Sequence, residues 1–144
     1  MADARTPGER QFLTPFAELV DRLTVDQIKA VLLPEGQASY SDEMRRISHD
    51  LDLIIQERGL RLDGRMIRIL VALGQMNLHI WHLKDRMQAE PDRYEAHLKL
   101  AHQLNGIRNQ LKNRLLEEAG EREKATERSN SGVDGLEGWH VDLV

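Results

Sequence analysis

Cysteine is absent from the 144-residue sequence, which excludes disulfide bonds and thiolate metal sites. Long apolar runs are absent as well, because no segment approaches the roughly 18 uninterrupted apolar residues of a membrane-spanning helix. The opening stretch MADARTPGERQF lacks the apolar segment of a secretion signal. We therefore expect a cytoplasmic protein that does not insert into a membrane.

A net positive charge is also missing. The formal net charge of −4 at pH 7 argues against non-specific binding of nucleic acid by the whole surface, which depends on Lys and Arg neutralising phosphates. What is present is typical of one globular domain with a real core, since 40% of the residues are hydrophobic and 31% are charged.

Apolar residues recur at steps of three and four along most of the chain, which predicts an all-α fold. We expect a compact bundle of four to five helices built on a long antiparallel hairpin, with helices at about 15–32, 42–58, 64–88 and 92–118. The corresponding domain boundaries are a flexible N-terminus at 1–13, the bundle at 14–119 and a disordered tail at 120–144.

Several local signals predict where these helices begin. Thr14 precedes a proline and predicts the N-cap of the first helix, and Ser39 or Ser41 predicts that of the second. The number of helices is open because Thr24 and Gln27 have the spacing of a capping box, which would start a separate short helix.

The short link AEPD predicts an antiparallel hairpin of the third and fourth helices. Residues equally far from the link should then face each other across the hairpin. This register places Asp85 near Tyr94 and His97, Trp81 near Leu98, Asn77 near residues 101–105, and Gly74 near Gly106.

Polar residues lie beside the apolar stripe of both hairpin helices, and they have two interpretations. The first is a site for a polar ligand such as a sugar, with Trp81 as a stacking face and Asn77, Asp85, Asn105 and Arg108 as hydrogen-bond partners. The second is a structural network in which Arg108 or Lys112 pairs with Asp21 and fixes the first helix against the hairpin.

Three segments, LVDRLTVDQIK, NLHIWHLKD and LNGIRNQLKN, resemble the motifs of a group of uncharacterised bacterial helical domains. Those domains carry L-h-D-[RK]-[LI]-[TS]-h-x-x-I-K early, N-x-x-L-W-x-h-E-D in the middle and N-x-x-R-x-x-L-K late, where h is apolar. The similarity covers residues 16 to 116 of this chain. It implies ligand-binding positions at Asp21, Lys29, Asn77, Trp81, Asp85, Asn105, Arg108 and Lys112.

Two residues depart from those motifs: Lys84 replaces the acid before Asp85, and Ile80 replaces the leucine before Trp81. The first departure argues against an acidic pair that binds a cation. Relatives of this type are found beside, or fused to, glycosyltransferase and tetratricopeptide proteins of surface-polysaccharide assembly. The resemblance therefore implies a cellular context but no reaction.

Metal and cofactor sites are not expected. His79 and His82 lie one helical turn apart, but the ligands of a closed coordination shell do not follow at suitable spacing. The Glu-x-x-His signature of di-iron bundles, the G-x-S-x-G motif and the Gly-rich phosphate loop are all missing from the sequence. An enzymatic activity therefore has no support from a sequence motif.

Arginines cluster where the third helix begins. Arg61, Arg65 and Arg68 follow helical steps, and the hairpin register brings Arg114 close to them. These four residues form a candidate anion patch that would bind a phosphate, an acidic sugar or an acidic protein surface. The alternative is a solvated face with local ion pairs to acids such as Glu117 and Glu118.

The final segment GLEGWHVDLV contains apolar anchors within a Ser-, Gly- and charge-rich tail. One interpretation is a docking peptide that uses Trp139, Val141, Leu143 and Val144. The alternative is a frayed chain end without a binding role.

Taken together, these patterns favour a non-catalytic accessory or interaction module, which the resemblance connects with bacterial surface-polysaccharide assembly. Its working surface would be the groove between the first helix and the hairpin. The expected partner is a protein, either a glycosyltransferase or a second copy of the chain. One alternative is an enzyme that binds a sugar or nucleotide sugar at the polar row, and another is a nucleic-acid adaptor.

Overall fold

The computed structural model describes residues 8–120, and this part of the chain is all-α, as predicted. Its four helices are α1 (Phe16–Leu32), α2 (Gln37–Arg58), α3 (Gly64–Ala89) and α4 (Tyr94–Glu118). Two short 3₁₀ turns, Pro34–Gly36 and Pro91–Arg93, precede α2 and α4. None of these helices combines the length and hydrophobicity that a bilayer crossing requires.

Helix α1 lies between the other elements. It packs against α2 on one side and against both helices of the α3–α4 hairpin on the other. This position follows from its sequence, because apolar residues such as Phe16, Ala17 and Leu19 are all buried although they lie on different sides of the helix. The fully buried core is completed from the other three helices by Ile47, Ile54, Met66, Ile69, Leu73, Leu104, Leu111 and Leu115.

The first helix is continuous, so the possible break at Thr24 is wrong. The Thr24 hydroxyl donates a 2.8 Å hydrogen bond to the Asp21 carbonyl oxygen one turn earlier, which holds the side chain within the helix instead of capping a new one. The helix begins after Pro15, whose side chain cannot cap it. The predicted Thr14 cap is therefore displaced by one residue.

Helix α2 begins about five residues earlier than predicted, because the Pro34–Gly36 turn leads directly into it. Ser39 and Ser41 lie inside α2 and do not cap it. A Cβ at Gly36 would lie 2.7 Å from the Tyr40 ring, so another residue in this turn would require the Tyr40 side chain to move. The helix ends at Gly59, which adopts a left-handed φ of 60° that few other residues tolerate.

Helix α3 begins as predicted, with the Asp63 side chain accepting a 2.9 Å hydrogen bond from the Met66 amide. The predicted approach of Gly74 to Gly106 stays a prediction. A Cβ added to Gly74 would lie 3.9 Å from the Thr24 side chain, so the Cβ direction of Gly74 points toward α1.

The N-terminal segment contacts α2 through residues 9–12, which precede the domain boundary expected at 14. Phe12 packs against the core. The carboxylate of Asp50, which is fully buried on α2, accepts hydrogen bonds from the backbone amides of Gln11 (2.6 Å) and Phe12 (2.7 Å). A buried acid in an apolar helical row thus attaches the segment to the fold.

Replacing Asp50 by Asn should detach this segment, because an amide offers one acceptor oxygen where the carboxylate offers two. We expect a loss of about 1–3 kcal/mol in the free energy of unfolding and faster hydrogen exchange at the Gln11 and Phe12 amides. Asp52→Asn is the matched control, since Asp52 is exposed on the same helix. Equal effects of the two changes would contradict the anchoring role of Asp50.

Candidate functional site

A buried ion pair joins α1 to α4. Asp21 is only 4% exposed, and both of its carboxylate oxygens bind the Arg108 guanidinium. The Arg108 Nε atom lies 3.0 Å from Oδ1, and Nη2 lies 2.6 Å from Oδ2. This two-point contact fixes the distance and the rotation between the two helices.

Three further side chains complete this contact, and we name the set the Asp21 network. Asn77 of α3 donates from Nδ2 to Asp21 Oδ1 at 2.9 Å and to the Thr24 hydroxyl at 2.5 Å. Asn105 accepts a 3.0 Å hydrogen bond from Arg108 Nη1. Lys112 lies with Nζ 2.8 Å from Glu18 Oε1 and 3.9 Å from Asp21 Oδ2.

The network keeps Asp21 ionised in spite of its burial. Burial by itself would raise the pKa of Asp21, but the hydrogen bonds from Arg108 and Asn77 and the charges of Arg108 and Lys112 outweigh it and lower the pKa. The hydrogen bond to Asp21 likewise raises the pKa of Arg108. Both groups are therefore charged and mutually satisfied at neutral pH.

The structure brings together five of the eight residues implied by the resemblance: Asp21, Asn77, Asn105, Arg108 and Lys112. Trp81 is half-buried and Asp85 is exposed, and neither is among the hydrogen-bond or ion-pair partners of Asp21 and Arg108 described above. Asn77 also turns toward α1, although the register predicted α4 as its neighbour. Buried His97 pairs with Glu90 at 2.8 Å and not with Asp85.

A second polar cluster lies beside the Asp21 network, in a cleft of about 420 Å³ that Asp21 and Arg108 also line. Its lining includes Asp26 and Lys29 of α1 together with Tyr40 and Glu43 of α2. The Lys29 ammonium lies 5.9 Å from the centre of the Tyr40 ring. Lys29 therefore belongs to this cleft and not to the Asp21 network.

Asp26 is the unusual residue of the cleft. It is 6% exposed, and its Oδ2 atom is buried without a hydrogen-bond partner among residues 8–120. Burial, followed by the charge of Glu43, raises the pKa of Asp26 to about 6, although Lys29 and Arg22 oppose the change. Protonated Asp26 can donate a hydrogen bond to the Glu43 carboxylate, which also raises the pKa of Asp26.

Sequence reasoning missed Asp26 and Glu43, yet a signal for Asp26 is present. Leu19, Leu23, Asp26 and Ala30 follow steps of four, three and four, so the acid occupies one position of an apolar row that packs against α2. An acid at such a position is buried and requires compensation. Glu43 has no comparable signal, since its role depends on the packing of α2.

The arginine patch is paired in part with the acids of α4. Arg65 Nε lies 3.3 Å from Glu118 Oε1, and Arg114 Nη1 lies 3.4 Å from Glu117 Oε2. Arg61 and Arg68 are exposed nearby. The two ion pairs favour a solvated charged face over a dedicated anion site.

The histidines of α3 do not form a metal centre with acidic neighbours. His79 and His82 line a groove of about 300 Å³ with Arg86 and with Leu100 and Leu104 of α4. Within residues 8–120, no group of three His, Cys, Asp or Glu side chains is arranged to hold a metal ion. The groove does confirm that α3 and α4 face each other across the hairpin.

The outer face of α3 carries exposed apolar residues. Ile67, Val71 and Leu78 lie on the side of the helix opposite the buried Ile69 and Met76. The C-terminal anchors Trp139, Val141, Leu143 and Val144 lie outside the described residues. Comparisons with protein-family models, curated proteins and solved structures found no match to this chain.

The raised pKa of Asp26 predicts a pH-dependent stability. The protonated form is favoured in the folded state, so the stabilisation is complete below the unfolded pKa and is lost as the pH rises through about 6. Asp26→Asn removes this loss and should raise the free energy of unfolding by about 1–3 kcal/mol at pH 7.5 but not at pH 4.

Urea titrations at the two pH values measure this effect, with the exposed residue change Asp85→Asn as the control. A gain from Asp26→Asn that is equally large at both pH values would show that ionisation of Asp26 is not its cause.

Proposed function

We propose that this chain is a non-catalytic interaction module. The observation that carries the proposal is the saturation of the Asp21 network. Both oxygens of Asp21 and the Arg108 guanidinium are engaged within the bundle, and Asn77 is turned toward the same carboxylate. A catalytic or ligand-binding group needs polar atoms that face a substrate, whereas these atoms connect three helices.

The partner that we propose is a protein, and the outer face of α3 is its contact surface. Exposed apolar residues grouped on one helix face are typical of protein interfaces, and Ile67, Val71 and Leu78 form such a group. The resemblance to bacterial helical domains supports a role in surface-polysaccharide assembly. In that context the partner is a glycosyltransferase or a second copy of the chain.

A second candidate function is small-ligand binding, and a specific observation favours it in the cleft between α1 and α2. The buried Oδ2 of Asp26 lacks a donor among residues 8–120, and the hydroxyl of a ligand would supply one. The lining contains three carboxylates (Asp21, Asp26 and Glu43) and three cations (Arg22, Lys29 and Arg108). This balance suits a neutral sugar with both donors and acceptors better than a charged ligand.

The structural role of the network is tested by Arg108→Met. This change leaves the Asp21 carboxylate buried without its main partner, so we expect a loss of about 2–4 kcal/mol in the free energy of unfolding. The double change Asp21→Asn with Arg108→Met removes the unpaired charge and should recover part of that loss, as measured by urea unfolding. Unchanged stability of Arg108→Met would leave Arg108 available for a ligand and would contradict the proposal.

The second candidate is tested by thermal unfolding with neutral, amino and acidic monosaccharides. If the cleft binds neutral sugars, they should raise the melting temperature by mass action. Asp26→Ala should abolish this shift, whereas Asp85→Ala, at an exposed position outside the cleft, should preserve it. A shift that survives in Asp26→Ala would place the sugar elsewhere.

A further inference from the structure

Six charged side chains line the cleft beside the Asp21 network, and four of them are already paired within the fold. Asp21 and Arg108 make their two-point contact, and Arg22 Nη2 donates a 2.8 Å hydrogen bond to Glu43 Oε1. A ligand would have to break one of these pairs before it could bind to either member. Recognition in the cleft therefore depends on the two charged residues that remain.

Those residues are Asp26 and Lys29 of α1. Asp26 is 6% exposed, and its Oδ2 atom has no hydrogen-bond donor among residues 8–120. In the same part of the chain, the Lys29 ammonium makes no hydrogen bond or ion pair, and its one ring contact is with Tyr40 at 5.9 Å. The cleft thus contains one carboxylate oxygen without a donor and one cationic donor without an acceptor.

This acceptor and this donor are neighbours on one wall of the cleft. Asp26 and Lys29 are three residues apart on the helix, so their Cβ atoms are separated by about 5–6 Å, and both side chains line the cleft. The torsion that orients a carboxylate has a broad energy profile. Rotation about it can therefore turn Oδ2 toward a donor that enters the cleft.

The two residues together select against most charged ligands. Lys29 repels a ligand ammonium that approaches Asp26, and Asp26 repels a ligand carboxylate that approaches Lys29. A zwitterion would match both charges, but it would lose its hydration at two ionised groups, which costs more than the transfer of two hydroxyls out of water. A neutral group that both donates and accepts hydrogen bonds fits this wall best.

We infer that the cleft recognises a vicinal diol, in which one hydroxyl donates to Asp26 and the oxygen of the adjacent hydroxyl accepts from Lys29. The inference rests on the second candidate function, ligand binding in the cleft. It names the chemical group that is bound and makes Lys29 the residue that selects it. Monosaccharides carry this group, and a cleft of about 420 Å³ is within the usual size range of small-ligand sites.

Two isomers of one small molecule test the diol directly. The trans-1,2 and trans-1,4 isomers of cyclohexanediol have the same atoms and differ only in the spacing of their hydroxyls. Each is titrated into the isotope-labelled full chain while the chemical shifts of the backbone amides are followed. The 1,2 isomer should shift the amides around Asp26 and Tyr40 and should bind about tenfold more tightly, because the 1,4 isomer loses a hydrogen bond to a charged group.

Equal affinities of the two isomers would show that single hydroxyls are bound, and this result would overturn the inference. Glycine is titrated in parallel as the zwitterionic probe. If glycine shifts the same amides at lower concentration than the 1,2 isomer, the cleft recognises paired charges and not a diol.

The role of Lys29 is tested by Lys29→Met, which keeps an unbranched side chain but removes the ammonium. Affinity for the 1,2 isomer should fall about tenfold, and the preference over the 1,4 isomer should disappear. Lys99→Met is the matched control, since Lys99 is exposed on α4 outside the cleft. Circular dichroism should show unchanged helix content for both variants. Full affinity in Lys29→Met would contradict the assignment of Lys29 as the donor.

The inference and the second candidate function can fail separately. If neutral monosaccharides bind in a manner that depends on Asp26, while the two cyclohexanediols bind equally, the cleft is a sugar site and only the diol inference is wrong. If neither the monosaccharides nor the diols bind, the second candidate function is wrong and the inference with it.

Discussion

The buried contact between Asp21 and Arg108 is the interaction on which the arrangement of the helices depends. Moving a carboxylate out of water costs several kcal/mol unless charged and hydrogen-bonded partners replace the solvent. Asp21 obtains those partners from α4 through Arg108 and from α3 through Asn77. One side chain of α1 therefore specifies how the whole hairpin is placed against it.

Three buried acids compensate for the free-energy cost of leaving water in three different ways. Asp21 is compensated by side chains, and its pKa is lowered. Asp50 is compensated by two backbone amides of the N-terminal segment. Asp26 has no such partner for its Oδ2 atom, and burial beside Glu43 raises its pKa to about 6. We therefore expect binding of a proton or a ligand to change the free energy of unfolding most on the α1–α2 side of the bundle.

Three surfaces of the bundle differ in how far their side chains are already engaged within the fold. The groove between α1 and the hairpin, which the sequence suggested as the working surface, is occupied by the Asp21 network. The cleft beside Asp26 contains one buried polar atom, Asp26 Oδ2, without a hydrogen-bond partner among residues 8–120. The outer face of α3 has exposed apolar side chains. The Asn77 side chain of the Asp21 network and the exposed apolar side chains of α3 therefore lie on different faces of that helix.

The sequence by itself determined the helices, the hairpin and the possibility of an Asp21–Arg108 pair, because helical periodicity and turn residues act locally. Only the tertiary structure decided how far each helix is rotated. Each four-residue step turns a side chain by about 40° around an α-helix, so the row Asn77, Trp81, Asp85 passes from buried to exposed instead of staying on one face. The position of Glu43 opposite Asp26 was likewise undetermined, since it depends on contacts between helices that no local pattern encodes.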